Sequence, residues 1–120
     1  SLFEDTEMKS TFEKRPWGNF EQFALNEKST VKILTILPKQ KFSLQYHKKR
    51  QEFWKFLDGS AKVTLGKKII NVKKGDEIFV PKKTLHRIEA FSKPVRVLEI
   101  SFGIFDEKDI TRTQDDYGRR

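Results

Sequence analysis

The sequence contains no cysteine in its 120 residues, which excludes disulfide bonds and thiolate metal ligands. Any metal ion would have to be held by histidine, carboxylate or amide groups. Only two histidines are present, His47 and His86. No apolar run approaches the roughly 20 residues of a membrane-spanning helix, and no secretory signal pattern is visible at the start. We therefore expect no membrane association, and the lack of cysteine is compatible with a cytoplasmic location.

Acidic residues are outnumbered by basic ones, 17 against 25, which gives a net charge of +8. A basic balance can indicate nucleic-acid binding. Here the lysines are scattered, mostly as pairs in predicted loops, and none of the usual nucleic-acid-binding motifs is present. We therefore expect no nucleic-acid partner. A small anionic ligand such as a sugar phosphate suits the charge equally well, and most lysines are expected to form a solvated surface.

Long amphipathic stripes at helical spacing are also missing, and short β-rich segments separated by turn residues take their place. A tight hairpin is predicted at Gly66-Lys67. The pattern predicts one all-β domain over residues 1–120, a small barrel or sandwich. Strands are predicted over residues 19–25, 30–37, 42–47, 53–57, 61–65, 68–72, 77–80, 87–91 and 96–101.

The two ends of the chain give weaker signals. Residues 1–13 lack periodicity and are expected to form an N-terminal arm, as a short helix, a swapped arm or a loose terminus. Arg15-Pro16-Trp17-Gly18 then reads as a turn that leads into the first strand. Residues 106–120 are expected to be a polar C-terminal tail, in which one helical turn could form near Asp109.

Four side chains form a candidate metal site. Gln45 and His47 are two residues apart, so in a strand both side chains lie on the same face. Glu52 follows after a short polar run, and His86 ends a second segment with a similar pattern. An amide oxygen, two imidazoles and a carboxylate would make a mixed nitrogen and oxygen site for one divalent ion.

The spacing around these residues resembles the paired motifs of the cupin superfamily. The first motif runs from Gln45 through Glu52 to Gly59, and the second runs from Gly75 through Pro81 to His86. The first ligand position, here a glutamine, is most often histidine in that superfamily. The resemblance implies a cupin fold, a double-stranded β-helix or jelly-roll barrel. It also implies one divalent metal ion per chain, with Zn, Mn, Co, Ni and Fe all compatible with the ligands.

A closer resemblance covers residues 12–119, nearly the whole chain. The segments 15–18, 43–54, 99–103, 109–112 and 115–119 look like those of type II mannose-6-phosphate isomerases. In that family this cupin is usually the C-terminal part of a fusion with a mannose-1-phosphate guanylyltransferase. No Gly-rich nucleotide-binding loop is found here, so we expect the isomerase-like module alone. The resemblance implies a homodimer, with a separate guanylyltransferase as a further candidate partner.

The sequence departs from the family at several positions near the expected substrate. Lys49 and Phe53 stand where the family tends to carry additional histidines. Lys83 replaces the usual glycine after Pro81, Ala90 replaces an asparagine, and Ser101 replaces a glutamine. The metal set is unaffected, so these changes bear on the identity of the substrate.

The implied reaction interconverts mannose 6-phosphate and fructose 6-phosphate, feeding GDP-mannose and polysaccharide synthesis. A proton moves between C1 and C2 through an enediol, a divalent ion stabilises the developing charge, and a base carries the proton. Glu52 could be that base only if it does not bind the metal, so Glu99 and Asp109 are the other candidates. The candidate cations for the phosphate are Arg15, Lys49, Arg50 and Arg112.

Two alternatives remain open beside the mannose-6-phosphate isomerase. One is an isomerase or epimerase of another sugar or nucleotide sugar. The other is a non-catalytic cupin that binds a sugar or a metal. Trp17 and Trp54 are expected to pack in the core rather than to stack on a sugar.

Overall fold

The computed structural model describes residues 9–114, and within that range it contains β-strands and no helix, hence none that could cross a membrane. This confirms the predicted all-β class. The strands are β1 (Thr11–Arg15), β2 (Gly18–Gln22), β3 (Ser29–Ile36), β4 (Leu44–Tyr46), β5 (Arg50–Asp58), β6 (Ser60–Leu65), β7 (Lys68–Lys73), β8 (Glu77–Val80), β9 (His86–Ala90), β10 (Val95–Gly103) and β11 (Thr111–Gln114).

Two antiparallel sheets form the body of the fold. A four-stranded sheet has the order β3-β10-β5-β8, and a five-stranded sheet has the order β11-β4-β9-β6-β7. The hydrophobic core draws residues from both sheets, so the sheets pack face to face. The predicted hairpin across Gly66-Lys67 is confirmed, with Leu65 paired to Lys68. β3 and β11 are edge strands of their sheets.

Strand alternation determines which side chains of β5 point inward. Glu52, Trp54 and Phe56 face the interior. Phe53 lies on the outer face and packs against Phe23, with ring centroids 5.9 Å apart. β5 spans Arg50–Asp58 rather than the predicted residues 53–57. The prediction began the strand too late because its first three residues are polar, yet all three are buried.

A glycine makes the turn between β5 and β6. Gly59 has φ of 80°, and a Cβ atom there would lie 2.5 Å from the carbonyl oxygen of Pro94 and 2.9 Å from Val95 Cγ2. The turn therefore needs a residue that has no side chain, both for its backbone conformation and for this close approach. This explains the glycine that closes the first sequence motif.

The chain termini differ from what the sequence predicted. Residues 11–13 of the expected arm belong to β1, which pairs with β2 around the predicted turn at residues 15–18. In the expected tail, Thr111–Gln114 form β11 and pair with β4, and residues 107–108 make a turn instead of a helical one. Both strands are short and polar, so neither shows a hydrophobic alternation. Residues 1–8 and 115–120, including the family-like segment 115–119, lie outside the described range.

The two tryptophans have different environments. Trp54 is fully buried in the core, as expected. Trp17 is 73% exposed at the turn of the β1–β2 hairpin, so the expectation of core packing is wrong for this residue. The hairpin projects its turn away from the core, which the local sequence does not reveal.

Candidate metal centre

Three of the four predicted metal ligands converge inside the barrel. His47 follows β4, Glu52 lies on β5 and His86 begins β9, so both sheets contribute. Glu52 Oε1 lies 3.3 Å from His86 Nε2 and 3.6 Å from His47 Nε2. The candidate ligand atoms all fall within 4.8 Å of one another, and the three side chains are buried.

The backbone hydrogen bonds of the two imidazoles leave a lone pair on each Nε2 atom that could bind a metal ion, although the Nε2 of His47 also lies 3.3 Å from Arg50 Nη2. His47 Nδ1 donates to the carbonyl oxygen of Asp109 at 2.7 Å, and His86 Nδ1 donates to that of Thr84 at 2.9 Å. In a neutral imidazole the other nitrogen then carries a lone pair. Both lone pairs lie beside Glu52 Oε1, a buried atom with no hydrogen-bond partner among the described residues.

Three electron-pair donors next to one another repel unless a cation lies among them. Two imidazole nitrogens and a carboxylate oxygen are ligands that Zn, Mn, Fe, Co and Ni accept, and backbone carbonyls fix the orientation of both rings. The residues therefore fit a divalent metal ion. Its ligands would be His47, Glu52 and His86.

The pKa values of two of these residues favour metal-binding forms. Burial lowers the pKa of His47, against the opposing effect of Glu52, so the imidazole is neutral near pH 7. Burial alone would raise the pKa of Glu52, but a hydrogen bond from His86 and the positive charge that the His86 and His47 imidazoles carry when protonated outweigh it and hold that pKa well below its usual value. Glu52 is therefore anionic near pH 7.

The fourth predicted ligand, Gln45, lies next to this group. Its backbone pairs with His86 across β4 and β9, and its side chain lines the same cavity. Its amide oxygen accepts a hydrogen bond of 2.6 Å from Ser43 Oγ. The structure thus places Gln45 at the edge of the candidate centre, with its oxygen engaged by the serine.

The candidate metal centre forms part of the lining of a cavity of about 380 Å³. This cavity is enclosed by the two sheets and by the segment that follows β10. Besides the four predicted metal ligands, its lining comprises Lys32, Leu34, Phe42, Arg50, Glu99, Phe105, Glu107, Ile110 and Arg112.

Of the two other candidate bases, the structure brings Glu99 to the cavity. Glu99 is buried on β10, and its Oε2 accepts a hydrogen bond of 3.1 Å from Trp54 Nε1. Burial, together with the negative charge of Glu52, raises the pKa of Glu99 to about 8. A carboxyl group whose pKa lies close to neutrality can both take up and release a proton.

Asp109 occupies a different position, outside the cavity lining. Its carboxylate accepts hydrogen bonds of 2.9 Å from the backbone N–H groups of Lys48 and Lys49. Burial alone would raise the pKa of Asp109, but these hydrogen bonds outweigh it and lower that pKa. Its carbonyl oxygen accepts a hydrogen bond from His47 Nδ1. Asp109 therefore holds the His47 loop in place.

The four predicted phosphate-binding cations separate into two pairs. Arg50 and Arg112 line the cavity. Arg15 lies on the exposed β1–β2 hairpin, where it pairs with Glu13 at 2.6 Å, and Lys49 is exposed beside the cavity loop without lining it. Arg15 and Lys49 are thus not brought to the site, because hairpin and loop direct both side chains to solvent.

Arg50 also shapes the cavity. Its Nη1 donates to the carbonyl oxygen of Asp106 at 3.2 Å, and its Nη2 lies 3.3 Å from His47 Nε2. Its guanidinium carbon lies 4.4 Å from the centre of the Phe105 ring, and its Nε is 3.8 Å from Glu52 Oε2. This side chain links the candidate ligands to the segment that covers them.

Most of the residues at which this sequence departs from the family pattern lie outside the cavity lining. Phe53 lies on the outer face of the sheet, so it cannot replace a substrate-facing histidine. Ser101 faces inward and donates to Glu52 Oε2 at 3.2 Å. Lys83 adopts φ of 61°, a conformation that favours glycine, and its N–H donates to the carbonyl oxygen of His47 at 2.7 Å. The usual glycine at this position is therefore explained by backbone conformation.

Comparison with known proteins identifies the family of this chain. The family model described as mannose-6-phosphate isomerase C-terminal matches residues 4–115. The xanthan biosynthesis protein XanB of Xanthomonas campestris is 33% identical over 107 residues, which cover 88% of this chain and 23% of that protein. The mannose-1-phosphate guanylyltransferase ManC of Salmonella typhimurium is 32% identical, with 88% and 22% covered. This chain thus spans less than a quarter of the length of these relatives.

Solved structures show the same fold. A double-stranded β-helix protein from Klebsiella pneumoniae superposes with a TM-score of 0.64 at 17% identity, covering 76% of this chain and 78% of that one. A cupin protein from Bacteroides fragilis gives a TM-score of 0.59 at 23% identity, with coverages of 68% and 70%. The predicted cupin fold is confirmed, and the chain belongs to the mannose-6-phosphate isomerase C-terminal family.

Proposed function

We propose that this protein is a metal-dependent aldose–ketose isomerase that interconverts mannose 6-phosphate and fructose 6-phosphate. The observation that carries the proposal is the convergence of His47, Glu52 and His86 in the lining of a cavity that Glu99 also lines. One divalent ion, a carboxyl group beside it and cations around them are the groups that this reaction needs. The family match supports the same substrate.

The chain's own residues divide the work of the reaction. Glu99 takes the proton from one of the two carbons C1 and C2 and returns it to the other. Trp54 holds the Glu99 carboxyl group through its indole N–H. Arg50 and Arg112 attract the phosphate, while Glu52, His47 and His86 hold the ion. When bound, this ion supplies Lewis-acid stabilisation of negative charge that develops on the substrate oxygens.

The names of the relatives support a place in surface-polysaccharide synthesis. XanB is a xanthan biosynthesis protein, and the AlgA protein of Pseudomonas aeruginosa, 33% identical, is an alginate biosynthesis protein. We infer that the product feeds GDP-mannose formation by a guanylyltransferase, either separate or joined to this domain. The homodimer and the cytoplasmic location stay predictions of the same proposal.

A coupled assay tests the proposal. Metal-loaded protein is given mannose 6-phosphate, and fructose 6-phosphate is measured over time with Mn²⁺, Co²⁺, Ni²⁺, Fe²⁺ and Zn²⁺ in turn. We expect turnover with at least one ion. In Glu99→Gln, kcat should fall about 100-fold or more, as for the loss of a general base, with KM and metal content unchanged. Glu89→Gln, whose side chain pairs with Lys62 outside the cavity, is the matched control.

The alternatives give different results. An epimerase or an isomerase of another sugar would show no turnover with mannose 6-phosphate, but a different sugar phosphate or nucleotide sugar would raise the melting temperature by binding the folded state. A non-catalytic cupin would bind without turning over any of them. Either result would contradict the proposed substrate.

A further inference from the structure

The cavity is lined by both facing sheets, and an edge strand of each sheet contributes one cation to its lining. Lys32 lies on β3, the edge of the four-stranded sheet, and Arg112 lies on β11, the edge of the five-stranded sheet. Both side chains line the cavity. Lys32 is directly opposite Glu99 across β3 and β10, and Arg112 is opposite Gln45 across β11 and β4. The two cations thus line the cavity of the candidate metal centre from opposite sheets.

Neither cation forms an ion pair with a described residue. Within residues 9–114, no carboxylate lies within ion-pair distance of Lys32 or Arg112. The Nε atom of Arg112 is buried and has no hydrogen-bond partner in the same range. A buried guanidinium N–H without an acceptor is costly, so the position favours a ligand that supplies one.

An aromatic ring holds Lys32 in place. The Lys32 Nζ atom lies 4.3 Å from the centre of the Phe105 ring, which also contacts the guanidinium of Arg50 at 4.4 Å. A cation at this distance from a ring is attracted to it without losing its positive charge. Phe105 therefore restrains the flexible lysine in the cavity lining, while leaving its ammonium group able to bind an anion.

We propose that Lys32 and Arg112, which line the cavity from opposite sheets, form an anion clamp, and that the clamp takes the phosphate group of the substrate. The guanidinium offers two parallel N–H donors to phosphate oxygens, and the ammonium offers a point charge from the opposite sheet. Phe105 is a positioning residue for Lys32. The choice of a sugar phosphate as the ligand rests on the proposed function, whereas the binding of phosphate itself rests on the two cations.

The net charge of the cavity lining is compatible with binding of such an anion. The carboxylates that line it are Glu52, Glu99 and Glu107, and its cations are Lys32, Arg50 and Arg112. A divalent ion at Glu52 would make the sum positive. A ligand whose phosphate is held by Lys32 and Arg112 would then place its sugar carbons in the same cavity, which Glu99 and the candidate ligands also line.

Calorimetric titration with inorganic phosphate, fructose 6-phosphate and unphosphorylated fructose tests the clamp. Lys32→Gln should weaken binding of both phosphate compounds about 10-fold, the loss expected for one charge-assisted hydrogen bond. Metal content, the melting temperature and any weak binding of fructose should not change. Lys93→Gln removes the same charge in the exposed 92–94 turn, outside the lining of the cavity, and should bind like the wild type.

The role of Phe105 is tested by a pair of variants. Phe105→Leu removes the ring and should weaken phosphate binding about 3-fold, and Phe105→Tyr keeps the ring and should restore it. If Phe105 acted only by filling space, the two variants would bind phosphate with equal affinity. That equality would overturn the positioning role.

The results separate this inference from the proposed function. Lys32→Gln with wild-type affinity for phosphate would overturn the clamp, even if the protein isomerises mannose 6-phosphate. Failure of the wild type to bind either phosphate compound at millimolar concentrations would also overturn it. If phosphate binding weakens in Lys32→Gln but no isomerase activity is found, the clamp is supported and the proposed reaction is contradicted.

Discussion

The inward faces of β5 and β10 differ in character between their two ends. At one end the inward residues are Glu52 and Glu99, which line the cavity with the candidate metal centre. At the other end they are Phe56, Val97 and Val95, which are fully buried in the hydrophobic core. The same strands therefore build both a packed region and a reactive region, because the inward positions change from polar to apolar along each strand.

Trp54 lies at the boundary between the two ends. Its ring packs in the core against Phe56, with centroids 6.4 Å apart, while its N–H donates to Glu99. Its ring also lies 5.5 Å from the imidazole of His86. The apolar end therefore supplies the stability that the buried polar groups at the other end do not supply. Its packing also determines where those polar groups lie.

The largest expected effect concerns the apolar end. Phe56→Ala removes a fully buried ring and should lower the free energy of unfolding by about 3–5 kcal/mol, because it loses burial and leaves a cavity. Denaturant unfolding measures the change. The affinity of the remaining folded protein for metal should stay the same, and a parallel loss of metal affinity would show that the two ends are not independent.

The next effect concerns the polar end. Glu52→Gln keeps the size and one oxygen but removes the charge, and should reduce metal affinity about 100-fold, an effect near 2.7 kcal/mol. Activity should fall with it and be partly restored by added metal. Full metal occupancy with abolished turnover would contradict this assignment and make Glu52 the base.

A third prediction tests the turn that closes the apolar end. Gly59→Ala should destabilise the protein by about 2 kcal/mol, because the added Cβ meets the Pro94 carbonyl oxygen and the φ of 80° is strained. Gly75→Ala is the matched comparison, since its φ is 94° but a Cβ there meets nothing within 4 Å. Thermal unfolding should rank Gly59→Ala as the less stable variant, and the reverse order would rule out the clash as the cause.

The smallest effect is expected at Arg50. Arg50→Lys keeps the charge but loses the planar fork that reaches the Asp106 carbonyl, and should weaken sugar-phosphate binding about 10-fold. Titration with fructose 6-phosphate measures the change, with Arg96→Lys as a control because Arg96 pairs with Asp58 on the surface. Equal affinities in the two variants would return Arg50 to a structural role.

The sequence predicted the candidate ligands because few residues could serve. With no cysteine and two histidines, the spacing around His47 and His86 was informative, and Gly59 marked the turn that the structure contains. Glu52 was also identified, as an inward-pointing residue of the next strand, although the predicted bounds of that strand began only at residue 53. Rare residue types with defined spacing are therefore readable without a structure.

Lys32 could not be predicted in the same way. A lysine between Val31 and Ile33 reads as the solvent-facing member of an apolar strand. In the structure Val31 and Ile33 are 59% and 56% exposed on the outer face, while Lys32 faces the cavity. β3 is an edge strand, so hydrophobic alternation alone does not define its inner face. Phe105 was missed because its partners are distant in sequence.

The central claim is that His47, Glu52 and His86 hold one divalent ion at the polar end of the barrel. Elemental analysis of the purified protein, followed by titration of the metal-stripped chain, tests it most directly. We expect about one ion per chain in the wild type, a lower metal content in His86→Ala and an unchanged metal content in Glu89→Gln. Protein that contains no metal and takes up none on titration would show that these three residues do not form a metal site.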